Sequence, residues 1–383
     1  MPSARAFRRT NPITILLAGL LTLGFLFFIC APTSASTASS RAKQQSAAAH
    51  PLSPPAKPFR KPSPKANGER TPPPVVHYHL NNLTTSADPV EGRETVLILT
   101  PLARFYQGYW DNLLKLSYPH ELISLGFIIP KTREGNAATA ALQAEIAKTQ
   151  SGPEKKRFSS ITILRQDFDP PLQNQNEAER HKMENQKVRR AAMARARNSL
   201  LFTTIGPSTA WILWLDADIV ESPPSLIQDL AAHNQAIITP NCYQRFFNAD
   251  KNAMDVRPYD YNNWIDSAAA QELASKMGPD DILLEGYAEM ATWRTLMAKL
   301  ADGSGDAGKM IPLDGVGGTA LMVKAEVHRD GAMFPPFSFY HLIETEGFAK
   351  MAKRLGYQSW GLPNYYVRLS RLLTFIFPFF DKG

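Results

Sequence analysis

The chain has 383 residues, of which 44% are hydrophobic and 20% are charged, so it can bury a substantial core and is not disordered throughout. Its formal net charge is +7, but residues 1–90 carry ten lysines and arginines against two acidic residues. The rest of the chain is close to neutral, which argues against nucleic acid as a partner. The two cysteines, Cys30 and Cys242, are too few for a disulfide framework.

The N-terminal segment has the pattern of a membrane anchor. From Ile13 to Ala31 the chain runs 19 residues without a charge, and three arginines precede this run. As a helix it would span about 28 Å, enough to cross the hydrocarbon core of a bilayer. The alternative is a cleaved signal peptide, but the apolar region of such a peptide is usually about 7–15 residues long. The length therefore favours a retained anchor, with residues 1–12 in the cytosol.

Residues 32–92 have the composition of a spacer. They hold 11 of the chain's 30 prolines, among serine, alanine and lysine. Such a segment buries too little apolar surface to fold and stays extended. We therefore expect a disordered stem between the anchor and a globular domain that begins at residue 93.

From residue 93 onward, short apolar runs alternate with helical stretches. The runs at 95–100, 121–129, 160–164 and 211–215 predict buried strands, and the segments 105–116, 137–149 and 184–204 predict helices between them. This alternation indicates an α/β domain over 93–368, built on a mostly parallel central sheet. Ligands of such sheets bind at the carboxyl ends of the strands.

The strongest functional signal is an acid pair at the end of the fourth predicted strand, where a single alanine separates Asp216 from Asp218. A turn at the strand end lets both carboxylates reach one hard divalent cation. Mg²⁺ or Mn²⁺ held in this way commonly completes its shell with phosphate oxygens, so the motif predicts a diphosphate-bearing substrate. The alternative is that both carboxylates cap the turn and are solvated.

The helix predicted over 184–204 is rich in alanine and arginine. We expect Arg197 and Asn198 to face the strand ends and contact a nucleotide. A solvated basic helix face is the alternative, and for Arg189 and Arg195 it is at least as well supported.

A glycine-rich loop follows Asp314 and precedes an apolar run. Its glycines, Gly315, Gly317 and Gly318, permit positive φ and a close approach of the backbone to a ligand. The loop lacks the Gly-Lys-Ser/Thr ending of a P-loop, and a tight turn into a strand is the alternative interpretation.

Two more acidic pairs are candidates for contacting an acceptor hydroxyl. Glu344 and Glu346 follow His341 and precede a predicted helix, where acids are favoured whatever the function. Glu285 and Glu289 form the second pair and are equally ambiguous.

These segments resemble the fungal Golgi mannan-polymerase family of α-1,6-mannosyltransferases, glycosyltransferase family 62. The resemblance covers about Glu94 to Arg368 and includes the stretches RRAAMARARNSLLFTTIGP, WILWLDADIVESPPSLIQDL, LLEGYAEMATWR and LDGVGGTALMVKAEVHRDGAMFPPFSFYHLIETEGFAKMAKRLGY. It implies a GT-A-like nucleotide-sugar-binding fold, GDP-mannose as the donor, a mannan or N-glycan acceptor and Mn²⁺ as the metal. It also implies a single-pass type II protein of the Golgi membrane, with its catalytic domain in the lumen, that works with other mannan polymerase subunits of the same family.

The resemblance also assigns expected roles to individual positions. Asp216 and Asp218 match the metal-binding pair of the family. Transfer would retain configuration, since donor and product are both α, but the sequence leaves open whether a carboxylate nucleophile or same-face attack is used. The expected donor-binding residues are Thr100, Pro101, Arg197, Asn198 and Asp216. The expected catalytic residues are Asp314, Glu285 and Glu344. The residues expected in a loop that contacts the acceptor or another ligand are Gly315, Gly317, Gly318 and His341.

One departure from the family lies near the C-terminus. Family members carry a tyrosine-like residue and then a histidine after an Asn-Tyr-x-Val element, and that histidine resembles a late metal ligand. Here Arg368 and Leu369 follow the element, and residues 369–383 are unlike the family, so the metal shell would lack a ligand. This leaves a non-catalytic, donor-binding subunit as the main alternative. A secreted glycosidase with paired carboxylates is disfavoured, because Asp216 and Asp218 would share a metal.

Overall fold

The computed structural model describes residues 75–167, 183–248, 250–287, 289–303 and 305–369. The predicted cytosolic tail, the anchor over 13–31 and most of the stem lie outside these ranges, as do residues 370–383. Among the described residues, no helix combines the length and the apolar character needed to span a bilayer.

The strands predicted from the first apolar runs are present with bounds within two residues of those expected, and further strands follow. The strands are β1 (Thr95–Pro101), β2 (Ile123–Ile129), β3 (Ser160–Arg165), β4 (Thr209–Leu215), β5 (Ile219–Glu221), β6 (Ile237–Asn248), β7 (Ala253–Pro258), β8 (Trp264–Ile265), β9 (Thr295–Leu296), β10 (Ile311–Leu313), β11 (Ala320–Lys324) and β12 (Ser359–Leu369).

The helices lie between these strands. They are α1 (Gln107–Leu114), α2 (Arg133–Ser151), α3 (Met183–Thr204), α4 (Leu226–Ala232), α5 (Ala268–Ser275), α6 (Ala325–Arg329) and α7 (Glu344–Arg354), with short 3₁₀ helices at Leu80–Asn82, His120–Leu122, Glu154–Lys156 and Met297–Lys299.

The central sheet is mixed, which corrects the prediction of a mostly parallel one. Its strand order is β10-β12-β6-β11-β4-β1-β2-β3, with β5 beside β12 and β7 beside β6. The half formed by β4, β1, β2 and β3 is parallel, as predicted. In the other half, β11 runs antiparallel to both β4 and β6. Strands β6 and β7 form an antiparallel hairpin, because the connection between them is too short for the crossover that parallel strands need.

The core has two apolar layers, one on each face of the sheet. Trp211, Leu213 and Leu215 of β4 pack into one layer, and Ile212 and Trp214 pack into the other. Every residue of β4 is buried, as expected for a strand covered on both faces. The acid pair follows directly at its carboxyl end.

The folded domain includes residues from the predicted stem. The backbone N–H and the hydroxyl of Ser86 donate to Glu94 Oε1 at 2.8 and 2.6 Å. The Tyr118 hydroxyl donates to the Pro89 carbonyl at 2.9 Å. The end of the stem is therefore bound to the domain.

Candidate active site

The acid pair lies in a turn between β4 and β5. The Asp216 N–H donates to the Thr319 carbonyl at 2.9 Å, and the Ile219 N–H closes the turn on the Asp216 carbonyl at 3.1 Å. Ala217, between the two acids, is buried in the core. The turn therefore directs both carboxylates away from the core, at the end of the sheet where α/β proteins bind ligands.

Thr100, at the end of β1, fixes the same region from the neighbouring strand. Its hydroxyl donates to the Leu215 carbonyl at 2.8 Å and is hydrogen-bonded to the Tyr109 hydroxyl. Thr100 is fully buried, so its side chain braces the end of β4, and Pro101 beside it is half-buried. The donor contacts expected of Thr100 and Pro101 stay predictions.

The acid pair carries more negative charge than its surroundings neutralise. Asp218 Oδ1 is buried and has no hydrogen-bond partner among the described residues. Burial, followed by the charge of Asp216, raises the pKa of Asp218 to about 7. Burial also raises the pKa of Asp216, and the adjacent Arg197 guanidinium opposes this rise. Such a pair suits a bound cation, which would stabilise both charges.

Arg197 of α3 lies beside Asp216, and the nucleotide contact expected of it stays a prediction. Its Nη2 lies 3.2 Å from Asp216 Oδ1, and its Nε lies 3.2 Å from Glu344 Oε1. The side chain is 3% exposed and packs 5.3 Å from the centre of the Trp214 ring. Its Nη1 has no partner among the described residues. Arg197 therefore links the acid pair to the start of α7.

Glu344 and Glu346 are not solvated helix-end acids. Glu346 is fully buried, pairs with Arg190 of α3 and accepts a hydrogen bond of 2.8 Å from Trp264 Nε1. Glu344 has a φ of 55° and pairs with Arg197. Each glutamate is thus held by one arginine of α3, and the acceptor contact expected of Glu344 stays a prediction.

Asn198, next in the chain, binds a backbone segment, and the donor contact expected of it stays a prediction. Its Nδ2 donates to the Phe334 carbonyl at 2.7 Å, and the Phe334 N–H donates to its Oδ1 at 3.0 Å. Both polar atoms of the amide are engaged by one backbone position. Asn198 therefore fixes the segment that precedes α7.

The glycine loop adjoins the acid pair through Thr319, but its glycines make room for side chains. None of the three glycines has a positive φ. A Cβ at Gly315 would overlap the Trp264 ring, one at Gly317 would overlap the Asp260 carboxylate, and one at Gly318 would crowd Arg197. At these three positions the backbone lies close to protein groups, and the ligand contact expected of the loop stays a prediction.

Two other predicted catalytic carboxylates, Glu285 and Asp314, belong to a second ion-pair cluster. Arg294 donates to Glu285 at 2.8 Å and to Asp266 at 2.9 Å. The Asp266 N–H donates to Asp314 at 2.9 Å, and Lys353 pairs with the same carboxylate. Burial raises the pKa of Asp314, but these hydrogen bonds outweigh it and lower the pKa below its ordinary value.

His341 lies in the loop before α7. It has a φ of 62°, and its Nδ1 lies 3.2 Å from the Asp281 carbonyl. The structure places it beside the segment around Asp281, so the ligand contact expected of His341 stays a prediction.

Sequence reasoning missed Asp260, which lies beside the acid pair. Asp260 is 4% exposed, its Oδ1 accepts the Asn262 N–H at 3.1 Å, and its carboxylate fills the space where a Cβ on Gly317 would stand. Its Oδ2 has no hydrogen-bond partner among the described residues. The strand before it, β7, is mostly exposed and has no apolar run, so the sequence gives no signal that Asp260 would reach this position.

Within the described ranges, no group of three or more His, Cys, Asp or Glu side chains is arranged to hold a metal ion. Leu369, at the position of the expected late histidine, is 1% exposed and pairs with Ile219, the residue after Asp218. Protein ligands from the acid pair alone would leave the rest of a cation's shell to water and substrate oxygens.

Comparison with known proteins establishes the relatives of the chain. The Anp1 family model matches residues 74–338. The chain is 56% identical over 293 residues to the mannan polymerase complex subunit MNN9 of Candida albicans, covering 76% of this chain and 79% of that protein. It is 56% identical over 290 residues to the mannan polymerase complex subunit mnn9 of Schizosaccharomyces pombe, covering 76% and 84%.

Among solved structures, the chain is similar to a mannosyltransferase from Pyrobaculum calidifontis in complex with GDP-Man and Mn²⁺. The TM-score is 0.37 at 13% identity, with 74% of this chain and 59% of that chain covered. The resemblance to the mannan polymerase subunits is thus confirmed by the sequence relatives. The chain belongs to the Anp1 family.

Proposed function

We propose that this chain is a GT-A-type mannosyltransferase subunit of a mannan polymerase complex. It transfers mannose from GDP-mannose to the 6-hydroxyl of a mannan backbone growing on an N-glycan. The observation that carries the proposal is the acid pair Asp216 and Asp218, presented at the end of a fully buried strand with one oxygen lacking a partner. The names of the relatives support the complex and the polymer.

The residues present fit a divalent cation such as Mn²⁺. Carboxylate oxygens are the hard donors that such ions prefer, and the unpartnered Asp218 Oδ1 supplies one of them. Asp216 and Asp218 would hold the ion. When bound, it would neutralise charge that develops on the departing diphosphate.

Arg197 and Glu344 orient Asp216, the first residue of the acid pair. Arg197 holds one carboxylate oxygen of Asp216 and leaves the other free for a ligand. Glu344 shares the guanidinium through Nε, so the charge of Arg197 is divided between two carboxylates. Glu344 thus offsets part of the Arg197 charge, so the arginine fixes the geometry of Asp216 without cancelling its attraction for a cation.

The ion pairs of the predicted catalytic acids favour same-face attack over a covalent intermediate. Glu285, Asp314 and Glu344 are bound to Arg294, Lys353 and Arg197, respectively. A carboxylate held by a cation is a poor nucleophile. In the proposed step, the bond from mannose C1 to the diphosphate oxygen breaks, the acceptor O6 bonds to C1 on the same face, and the acceptor proton passes to the leaving diphosphate.

We also propose that the domain acts in the Golgi lumen, held to the membrane by the anchor expected over residues 13–31. The alternative is a subunit that binds the donor without turning it over. The observation that favours this alternative is Leu369, whose alkyl side chain cannot coordinate a metal.

The proposal is tested with the full chain, Mn²⁺, GDP-mannose and α-1,6-mannobiose. We expect a product one mannose longer, lost on omission of Mn²⁺ and in Asp216→Asn. Asp111→Asn is the matched control, because Asp111 is exposed on α1 and receives a hydrogen bond only from Gln107 among the contacts described. GDP and Mn²⁺ binding without transfer would instead identify a non-catalytic subunit. Loss of activity in both variants would contradict a specific role for the acid pair.

A further inference from the structure

One modification motif of the sequence has no part in the proposed function. The chain contains a single Asn-x-Ser/Thr tripeptide, Asn82-Leu83-Thr84, which precedes the first strand of the folded domain. In secreted proteins the asparagine amide of this pattern accepts an N-linked glycan, unless proline is the middle residue. Such tripeptides also occur by chance, so the surroundings of Asn82 in the fold decide whether it can carry a glycan.

The fold presents both polar residues of the tripeptide to solvent. Asn82 ends the 3₁₀ helix Leu80–Asn82, where its N–H donates to the His79 carbonyl at 3.0 Å. Asn82 and Thr84 are both exposed. An asparagine at the exposed end of a short turn leaves its amide open to a bulky group, whereas a glycan on a buried amide would displace the core.

Leu83, the middle residue, holds the tripeptide on the domain. Its side chain is half-buried and packs against the core layer that contains Trp211 and Leu213. Further along the chain, the N–H and the hydroxyl of Ser86 are bound by the Glu94 carboxylate. Because Leu83 packs inward while Asn82 is exposed, a glycan on the Asn82 amide would extend into solvent and disturb neither contact.

We propose that Asn82 is an N-glycosylation site, which receives an oligosaccharide from a polyprenyl diphosphate carrier. The inference rests on the lumenal placement proposed above, because the carrier's oligosaccharide is transferred in the secretory lumen. In the transfer, Asn82 Nδ2 bonds to C1 of the first sugar and the bond from C1 to the diphosphate oxygen breaks. The polyprenyl diphosphate leaves with the electron pair, and the amide gives up one proton to solvent. The chain is then itself a glycoprotein, modified on the surface of its folded domain.

The test expresses the full chain in fungal cells and compares its electrophoretic mobility before and after treatment with peptide-N-glycosidase. This enzyme removes N-linked glycans and leaves aspartate in place of the modified asparagine. We expect the unchanged chain to migrate faster after treatment, and mass spectrometry to find the aspartate at position 82. Asn82→Gln and Thr84→Ala should each abolish the shift, whereas Thr84→Ser keeps the hydroxyl and should retain it. Asn81→Gln is the matched control, because Asn81 is an exposed neighbour outside the tripeptide.

Each other result overturns the inference. A shift that persists in Asn82→Gln would place the glycan on another residue. An unshifted chain whose domain resists protease in sealed vesicles would overturn the inference alone, whereas an unshifted chain with a protease-sensitive domain would overturn the lumenal placement as well. Transfer from GDP-mannose is measured separately on the unchanged chain and on Asn82→Gln. Absence of transfer by a chain that carries the glycan would contradict the proposed function while the modification site stands.

Discussion

The Arg197 guanidinium is almost completely buried and lies 3.2 Å from Oδ1 of Asp216, whose side chain is 32% exposed at the end of β4. A buried arginine beside a metal-binding carboxylate would compete with a cation if its charge were directed there alone. Glu344, at 3.2 Å from the other side of the guanidinium, takes up part of that charge. The three side chains therefore act as a unit that sets how strongly Asp216 attracts a cation.

The role of Glu344 is tested with Glu344→Gln. The amide can still accept from Arg197, so the fold should persist, but the full charge of the arginine then falls on Asp216. We expect the affinity for Mn²⁺ to fall by about tenfold, as is typical for loss of an outer-shell partner. Titration of Mn²⁺ by electron paramagnetic resonance measures this. Glu326→Gln, at an exposed position of α6, is the control. Unchanged affinity in Glu344→Gln would remove Glu344 from the unit.

Asp218→Asn separates cation binding from folding. The substitution removes a buried charge that lacks a partner. We expect the free energy of unfolding in the absence of metal to rise by about 1 kcal/mol. The increase in Tm that Mn²⁺ and GDP give the unchanged chain should disappear. Thermal unfolding with and without Mn²⁺ and GDP checks both effects. If the variant is less stable without metal, Asp218 is a structural cap of the turn.

His328 gives the fold a predictable sensitivity to acid. Its ring is buried, with Nδ1 2.7 Å from the Ala332 carbonyl and Nε2 accepting from Trp214 Nε1 at 3.5 Å. Burial lowers the pKa of His328 to about 4. An unfolded chain, in which a histidine titrates near pH ~6.5, binds a proton that the folded chain excludes between these values. Stability contributed by the neutral ring is therefore full above pH ~6.5 and is lost as the pH falls toward the folded value.

The corresponding experiment is urea unfolding at pH 7 and pH 5. We expect His328 alone to cost the unchanged chain roughly 2 kcal/mol between these pH values. His328→Gln keeps hydrogen-bonding groups in place but cannot titrate, so its loss of stability between the two pH values should be smaller by that amount. An equal loss in both proteins would show that His328 is protonated freely in the folded state.

Strands with continuous apolar runs could be predicted from the sequence. Contacts between residues far apart in the sequence could not. The strand Thr209–Leu215 and the acid pair after it follow from an unbroken run of buried side chains. The strand Ile237–Asn248 was not predicted, because its second half mixes polar residues with partly exposed aromatic residues and so has no continuous apolar run. The partners of Glu344 were hidden for another reason, since 147 residues separate it from Arg197 and only the fold brings them together. A helix-end position alone could not distinguish a buried ion pair from a solvated acid.

The anchor expected over residues 13–31 leads to a prediction about topology. A retained apolar run of 19 residues preceded by three arginines orients the following domain into the lumen. Protease added to sealed Golgi vesicles should leave the globular domain intact, and detergent should make it susceptible. A cytosolic marker protein bound to the same vesicles serves as the control for protease activity. Digestion of the domain in sealed vesicles would contradict the orientation.

Leu369 offers the last prediction, on the metal shell. It pairs with Ile219, the residue after Asp218, so a side chain at 369 is close in register to the acid pair. An alkyl group cannot coordinate, whereas a neutral imidazole is a good ligand for Mn²⁺ and similar ions. We therefore expect Leu369→His to tighten Mn²⁺ binding about tenfold or more. The imidazole replaces a fully buried side chain, so we expect the free energy of unfolding to fall by about 2 kcal/mol without metal.

Leu369→Gln controls for the polarity of the new side chain. It should cost similar stability and leave Mn²⁺ affinity unchanged, because its amide is a weaker ligand than imidazole. Titration of Mn²⁺ and thermal unfolding of both variants give the two quantities independently. If Leu369→His loses stability and gains no affinity, the side chain at 369 faces the core, where it lies in the same apolar cluster as Ala217 and Ile219. A cation held by the acid pair would then complete its coordination shell with water and substrate oxygens alone. Leucine in place of the family's histidine at position 369 would leave metal binding unaffected.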